Sequence, residues 1–410
     1  MPSCCAPTLR LSQGRSPVSH ERDIDAATDV ACHDCLVRGE LLRLLSARLD
    51  HAARDLSQLV ELLGLSDEQL IEAIGGRRRQ ELRSLHSELD ERTLAPAGDV
   101  EALCVHRQRW RKILGPQGTP ARGGQTPSML WLAAGGSVRL QRMLREPVVA
   151  IVGSRRSSEY GRSLAGQLAF RLAAAGLTVA TPFAEGIAAA ALAGALAAGG
   201  SALGALPCGI DLCQPAHLRG LRHRLSQEGC LIAELPPGFS RRRWSMRASA
   251  RTILSLAQLV IVVEAELDGQ ELELAELAQA TGKAIAAVPG QVGCLTAEGP
   301  HRLIREGAPL IRSAEDALDL VYGVGGPPVP HPLAELDPRL RTVLRRVGRG
   351  EDTLATLGGG AHASQTLLAV AELEALGLLR RGQSGHYLPL PSALPQARTR
   401  RRRASARSPT

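Results

Sequence analysis

Apolar positions change their spacing twice along the chain, and the changes divide it into parts. From about Leu36 to Leu94 they recur at three-and-four spacing, through Leu41, Leu42, Leu44, Leu45 and Leu49 and then Leu59, Leu62, Leu63 and Leu65, which predicts amphipathic helices. Ser66-Asp67-Glu68-Gln69 fits a capping box that opens a further helix, and Gly75-Gly76 supplies its stop. Residues 115–128, rich in Gly, Pro and Thr, read as a loop. From Pro147 the period shortens. Residues 148–152 form a continuous apolar run of the kind found in a buried parallel strand, followed by helical text to Ala175. Further strands are expected at 177–180, 202–206, 230–234, 259–264 and 284–288. Strands alternating with helices predict a parallel sheet covered on both faces.

The second change comes at GVGGPPVPH (323–331), a linker by composition. Beyond it, residues 340–347, 353–357 and 364–376 read as three helices, and 378–381 with 386–388 as a hairpin. Three helices and a two-stranded wing make a winged-helix outline.

Composition narrows this picture. With 410 residues, 44% hydrophobic and 22% charged, the chain can bury large cores and is long enough for several domains. The formal charge of +8 hints at a polyanionic partner. Its location is informative, because the last fifteen residues hold six arginines and no acid, and are expected to be disordered. Only Lys112 and Lys283 are lysines, so the basic residues are almost all arginine. Residues 1–21 lack the continuous apolar core of a signal peptide. The uncharged stretch 186–208 is Ala- and Gly-rich and interrupted by Gly199-Gly200 and Pro207, so it reads as a helix and a strand rather than a membrane span. Nine cysteines without framework spacing favour a reducing, cytoplasmic setting.

Three places carry candidate chemistry. Gly153-Ser154-Arg155-Arg156 follows the first strand of the sheet, where a glycine turn, a hydroxyl, a planar guanidinium and a helix N-terminus suit a phosphate. The bland alternative is a tight turn with a solvated arginine. Residues 219–251 contain Arg219, Arg222, Arg224, Arg241, Arg242, Arg243, Arg247 and Arg251 against two glutamates, while 264–276 contain six carboxylates. Beside Trp244 and Phe239, the basic strip fits phosphate pairing and base stacking; alternatively the two runs neutralise each other or are solvated faces. Cys32-His33-Asp34-Cys35 and Cys104-Val105-His106 have the residue types of a four-ligand zinc site. Their long separation and the unusual second spacing weigh against it, so no metal is expected. No Ser/His/Asp arrangement, HExxH or Walker-type loop is present, which leaves no catalytic group and no cofactor to assign.

VAIVGSRR (149–156) resembles the opening of the Rossmann-like domain of the DNA processing protein A family, DprA, also called Smf. Later pieces follow in the family's order: AEGIAAAALAGALAAGG (184–200) for its ARGID helix start, CGIDLCQP (208–215) for GxDxxYP, and ELPPG (234–238) for SExPPG. VIVVEA (260–265), AVPGQVG (287–293) and HRLIREGAPLI (301–311) complete the series. The resemblance implies a Rossmann-like parallel sheet flanked by an N-terminal helical domain and a C-terminal winged-helix-like domain. The expected division is 1–30 poorly ordered, 31–130 helical and SAM/HhH-like, 131–323 Rossmann-like, 324–336 linker, 337–391 winged-helix-like and 392–410 disordered tail. It further implies a homodimer that binds single-stranded DNA and loads the RecA recombinase in natural transformation and recombination, without catalysis. Gly153, Ser154 and Arg155 match the family's GSR turn, Gly186 its ARGID glycine, Arg219 a basic position after the YP turn, and Arg251 the second arginine of its RNR motif. With Arg156, Arg241, Arg242, Arg243, Arg247 and Lys283 these make the expected DNA-binding set, although Lys283 also suits a plain helix-ending cation.

The chain departs from the family at several of these motifs. Ser249 and Ala250 stand where the family has Arg-Asn, and Met246-Arg247 where it has Phe-Pro. Residues 269–274 replace a small-residue SGSLIT loop with one holding Glu271 and Glu273. Glu185 replaces a cation, Gln214 the tyrosine of the YP turn, and Leu218 the asparagine that follows. The pocket is expected to be partly dismantled. A competing expectation is a degenerate nucleotide-binding or scaffold protein, although Pro289-Gly290-Gln291-Val292-Gly293 lacks the Thr-Glu pair of nucleotide-hydrolysing relatives of the sheet.

Overall fold

The structure, a computed structural model, describes residues 31–89, 99–115, 124–324, 336–358, 363–376, 378–382 and 385–389. The segments expected to be disordered at 1–30 and 392–410, and nearly all of the 324–336 linker, lie outside the described residues.

Helices α1 (His33–Leu44), α2 (Ser46–Ala52), α3 (Leu56–Gly64), α4 (Asp67–Ile74) and α5 (Arg79–Glu88) fill the N-terminal segment. The capping box forms as the sequence predicts: Gln69 N donates to Ser66 Oγ at 3.3 Å, and Ser66 N donates to Gln69 Oε1 at 3.0 Å. Two strands then appear where no strand was expected, β1 (Val100–Cys104) and β2 (Met129–Ala133), with α6 (Gln108–Leu114) between them. They pair antiparallel with each other, and β2 pairs antiparallel with a strand of the main sheet. The boundary drawn at 130/131 is therefore corrected. It cuts through β2, and the helical segment ends before Val100, because β1 and β2 find their backbone partners in the sheet.

After α7 (Gly136–Met143) the sheet runs β3 (Val148–Val152), α8 (Glu159–Ala174), β4 (Thr178–Pro182), α9 (Ile187–Ala197), β5 (Ala202–Leu206), α10 (Arg219–Glu228), β6 (Cys230–Ala233), α11 (Arg243–Leu256), β7 (Leu259–Val262), α12 (Gln270–Ala280), β8 (Ala284–Ala287), α13 (Leu295–Arg305) and α14 (Ala314–Tyr322). The order across its eight strands is β1-β2-β6-β5-β4-β3-β7-β8, parallel from β6 to β8. The stretch that imitated a membrane span is α9 and β5, and no helix of the described residues is long and apolar enough to cross a membrane. Alternation along β3 shows how the layers form. Val148, Ala150 and Val152 face a core shared with α11 and α12, while Val149 and Ile151 face a second core with α8 and α9.

The first core does not stop at the sheet. Leu41, Leu45, Leu49, Leu56 and Leu59 of the N-terminal helices belong to it, together with Trp244 and Ile253 of α11. Trp244 is 0% exposed, its indole N–H donates to Ser46 Oγ at 3.1 Å, and its backbone N–H donates to Asp50 at 3.0 Å. This residue ties α2 to the sheet domain.

The C-terminal part forms a separate small core. Helices α15 (Pro338–Val347), α16 (Leu354–Gly358) and α17 (Ala363–Ala375) pack with β9 (Leu379–Arg381) and β10 (Tyr387–Pro389), an antiparallel pair, around Leu340, Leu344, Leu373 and Tyr387. This is the winged-helix outline read from the sequence.

Trp244→Ala is expected to destabilise the chain by about 3–5 kcal/mol through the cavity it leaves, and Ser46→Ala by about 1–3 kcal/mol through the orphaned indole N–H. Chemical denaturation of both variants, and of the double variant, measures the two contributions and their coupling.

Candidate nucleic-acid interface

The sheet's connections leave β3 in two directions, to β4, β5 and β6 on one side and to β7 and β8 on the other. In such a sheet the crevice beyond the carboxyl ends of the strands at the reversal, here β3 and β7, is the natural ligand site. The 153–156 turn occupies that place and is locked from both sides. Ser154 N donates to the carbonyl of Glu264, just past β7, at 2.7 Å, and Ile187 N of α9 donates to the Ser154 carbonyl at 3.3 Å. Gly186 sits at φ +74°, where a Cβ would lie 2.4 Å from the Ser154 carbonyl oxygen and 2.6 Å from that of Arg155. Only glycine fits there.

The helix after this turn does not offer a free anion site. α8 starts at Glu159, with Ser158 as its cap and Gly161 N donating to Ser158 Oγ at 2.9 Å. Glu264, 5% exposed, takes the backbone N–H of Ser158 at 2.8 Å on one carboxylate oxygen and the Ser158 hydroxyl on the other. The expectation of a phosphate on this helix N-terminus is corrected: the protein's own carboxylate fills the place, and a second anion would be repelled.

What remains open is the side chains. Arg155 and Arg156 are exposed, Arg156 N donates to Ser154 Oγ at 3.1 Å, and the Arg155 guanidinium reaches the Met246 sulfur at 3.9 Å. Arg155 borders a small, largely apolar cleft, open to solvent, whose walls include Gly153, Phe183, Pro207, Arg241, Met246 and Leu274. A larger, more polar bay next to it sets Arg155 and Arg156 against Glu185, Glu266, Asp268 and Glu271. Burial pushes the Glu271 carboxyl above the usual range, with Glu266 and Glu273 adding to the effect and Arg155 opposing it. Arg241 pairs with Glu185 at 3.6 Å. The substitutions seen in the sequence thus place an acidic rim beside the arginines.

The basic strip at 219–251 resolves into two populations. Arg251 is 1% exposed and bonds to Glu234 and to the carbonyl of Gly124. Arg247 grips both oxygens of Glu273 at 2.8 and 3.0 Å, and the same carboxylate takes Leu56 N of α3 at 3.0 Å. Arg224 pairs with Glu228 at 3.2 Å, and Arg222 donates to the Ile210 carbonyl at 2.5 Å. Lys283 donates to the carbonyls of Ser255 and Ala257, closing the C-terminus of α11. Burial lowers its pKa. Arg247, Arg251 and Lys283 therefore hold the fold, and their place in the expected DNA-binding set is corrected. Trp244 and Phe239 are both buried, edge to face with ring centroids 5.6 Å apart, so neither can stack on a base. By contrast Arg219, Arg242 and Arg243 are exposed and have no carboxylate partner among the described residues.

Sequence reasoning treated Glu264 only as one acid in a run and missed its role. The available signal was its place directly after an apolar strand, where a buried carboxylate needs donors.

Taken together, a doubly wound sheet with an arginine-bearing turn at its reversal defines a Rossmann-like domain. The family model for DNA recombination-mediator protein A matches residues 120–322. The "Putative DNA processing protein DprA" of Mycobacterium tuberculosis is 35% identical over 264 residues, covering 62% of this chain and 67% of that one. Protein Smf of Escherichia coli K12 is 34% identical over 178 residues, covering 43% of this chain and 48% of Smf. The X-ray structure of DprA from Streptococcus pneumoniae superposes with a TM-score of 0.53 at 22% identity, covering 68% of this chain and 97% of that chain, and it supports the fold. The chain belongs to the DprA/Smf family of DNA processing proteins.

Arg251→Met leaves the Glu234 carboxylate buried without its cation and is expected to cost about 3–5 kcal/mol. The shift of the denaturation midpoint, read against Arg243→Met as an exposed control that moves little, checks the assignment of the two populations.

Proposed function

We propose that this protein binds single-stranded DNA across the carboxyl edge of its sheet and acts as a recombination mediator, a binding protein rather than a catalyst. The observation that carries the reading is the set of exposed guanidiniums on that edge: Arg155 and Arg156 on the locked turn, with Arg242 and Arg243 at the start of α11, the helix that also carries the cleft's Met246. A planar guanidinium pairs with phosphate through two parallel hydrogen bonds, and the rigid turn supplies it at low ordering cost. Arg219, exposed at the head of α10, extends the set. Delivery of the strand to the RecA recombinase during DNA uptake, and pairing with a second copy of the chain, follow from the family resemblance and belong to the same proposal. A mononucleotide is a poorer fit, because Glu264 holds the helix N-terminus that its phosphate would need.

Binding of fluorescent oligo-dT across a salt series tests this. Each phosphate contact on a single strand contributes about 0.7 to the slope of log K against log salt. Arg155→Ala is expected to weaken binding about tenfold and to lower the slope by about 0.7, whereas Arg224→Ala leaves both unchanged. Equal binding by the wild type and an Arg155→Ala/Arg156→Ala double variant would refute the placement.

The acidic rim makes a second expectation. Glu271 protonates at a higher pH than an ordinary carboxylate, and its neutral form removes a negative charge beside Arg155. Oligo-dT affinity should rise as pH falls through that raised value. Glu271→Gln should bind several-fold more tightly than wild type at pH 7 and show a flatter pH profile, as read by anisotropy titrations at matched ionic strength.

A further inference from the structure

The fold closes a gap that the sequence left open. Cys32 caps the N-terminus of α1 and Cys35 lies in its first turn. Cys104 ends β1, and His106 stands two residues further on. Although about seventy residues separate the two pairs, the three sulfurs and the nearest imidazole nitrogen all lie within 4.8 Å of one another. Cys32 Sγ is 3.2 Å and Cys35 Sγ 3.4 Å from His106 Nδ1. A tetrahedral zinc with Zn–S near 2.3 Å and Zn–N near 2.0 Å requires ligand atoms roughly 3.5–3.8 Å apart, so shifts of about an ångström or less would bring these four atoms around one ion.

Ordinary core packing does not account for the group. Cys230, 2% exposed, shows what a packed cysteine looks like here, with its sulfur against the backbone carbonyls of Gly136 and Leu231. In the cluster, Cys35 and Cys104 are buried, Cys32 is half-buried, and an exposed histidine turns its Nδ1 inward among sulfurs. Backbone donors support it: Cys32 N donates to Cys104 Sγ at 3.3 Å, the kind of N–H···S bond that favours a thiolate. The position at a helix N-terminus favours negative charge for a separate reason.

We propose that Cys32, Cys35, Cys104 and His106 bind a structural zinc ion. Three thiolates and an imidazole form a closed, soft ligand set that suits zinc and leaves no position for substrate. The ion fastens the start of α1 to the end of the edge strand β1, joining the N-terminal helices to the sheet. Binding releases the thiol protons to solvent and makes the metal part of the folding equilibrium. This inference stands independently of the DNA-binding reading.

Elemental analysis of the full chain, purified in reductant and without a metal-affinity step, is the direct test. One zinc per chain is expected, with loss to background in Cys35→Ser and Cys104→Ser and full retention in Cys230→Ser. Because the first two variants are able to misfold, wild-type protein is also exchanged into Co²⁺, which should give the intense visible bands of tetrahedral cobalt and a thiolate charge-transfer band. Chelation should lower the thermal midpoint of the zinc form. Wild-type protein that carries no zinc and gives no tetrahedral cobalt spectrum would overturn the assignment, as would a Cys32–Cys35 disulfide in chain isolated under reductant.

Discussion

The contact on which the edge of this sheet depends is the one between Glu264 and Ser158. A carboxylate that is 5% exposed must find donors, and it finds the cap of α8 and the N–H beside it. The same residue's carbonyl holds Ser154 in place. One glutamate at the end of β7 therefore sets both the turn that leaves β3 and the helix that follows. It also converts a site that many doubly wound sheets reserve for a ligand's phosphate into part of the framework. In the proposed function, ligand recognition is displaced outward, from backbone donors to the guanidiniums on the rim.

That displacement explains how one residue type serves two ends. Arginine is nearly the sole cation of this chain, so it supplies both internal ties and surface charge. Arg251 and Arg247 are spent inside, on Glu234 and on the Glu273 carboxylate that also takes Leu56 N. Such buried pairs add little net stability, since desolvation offsets much of the attraction. Arg155, Arg156, Arg242 and Arg243 remain in water, where pairing with phosphate is the stronger interaction open to them. The wing is tied to the same end of the molecule, because Arg380 of β9 pairs with Glu159 in the first turn of α8.

Periodicity made most of the fold legible. The strands at 148–152 and 202–206 were bounded to the residue, and the capping box at Ser66 formed as read. β1 and β2 escaped because an edge pair earns its strand character from its partners rather than from its own pattern. Of the candidate site, the position of the 153–156 turn after an apolar strand was legible, although spacing alone did not separate a phosphate-binding turn from a tight turn with a solvated arginine. The division of arginines was not legible, because burial of Arg251 depends on Glu234 and Gly124, neither visible as a neighbour in the sequence. Trp244 looked like a stacking platform for the same reason that it is a good core residue, its large apolar face. The cysteine and histidine ligand types were evident, but their convergence depends on β1 lying beside α1.

Hydrogen–deuterium exchange of the full chain with and without oligo-dT locates the bound strand. Slowed exchange is expected at the amides of residues 153–157 and 241–246, at the carboxyl edge of the sheet, with little change along α10 beyond Arg219. Protection confined to residues 363–389 of the winged-helix part, with the 153–157 turn unchanged by saturating DNA, would contradict binding at that edge.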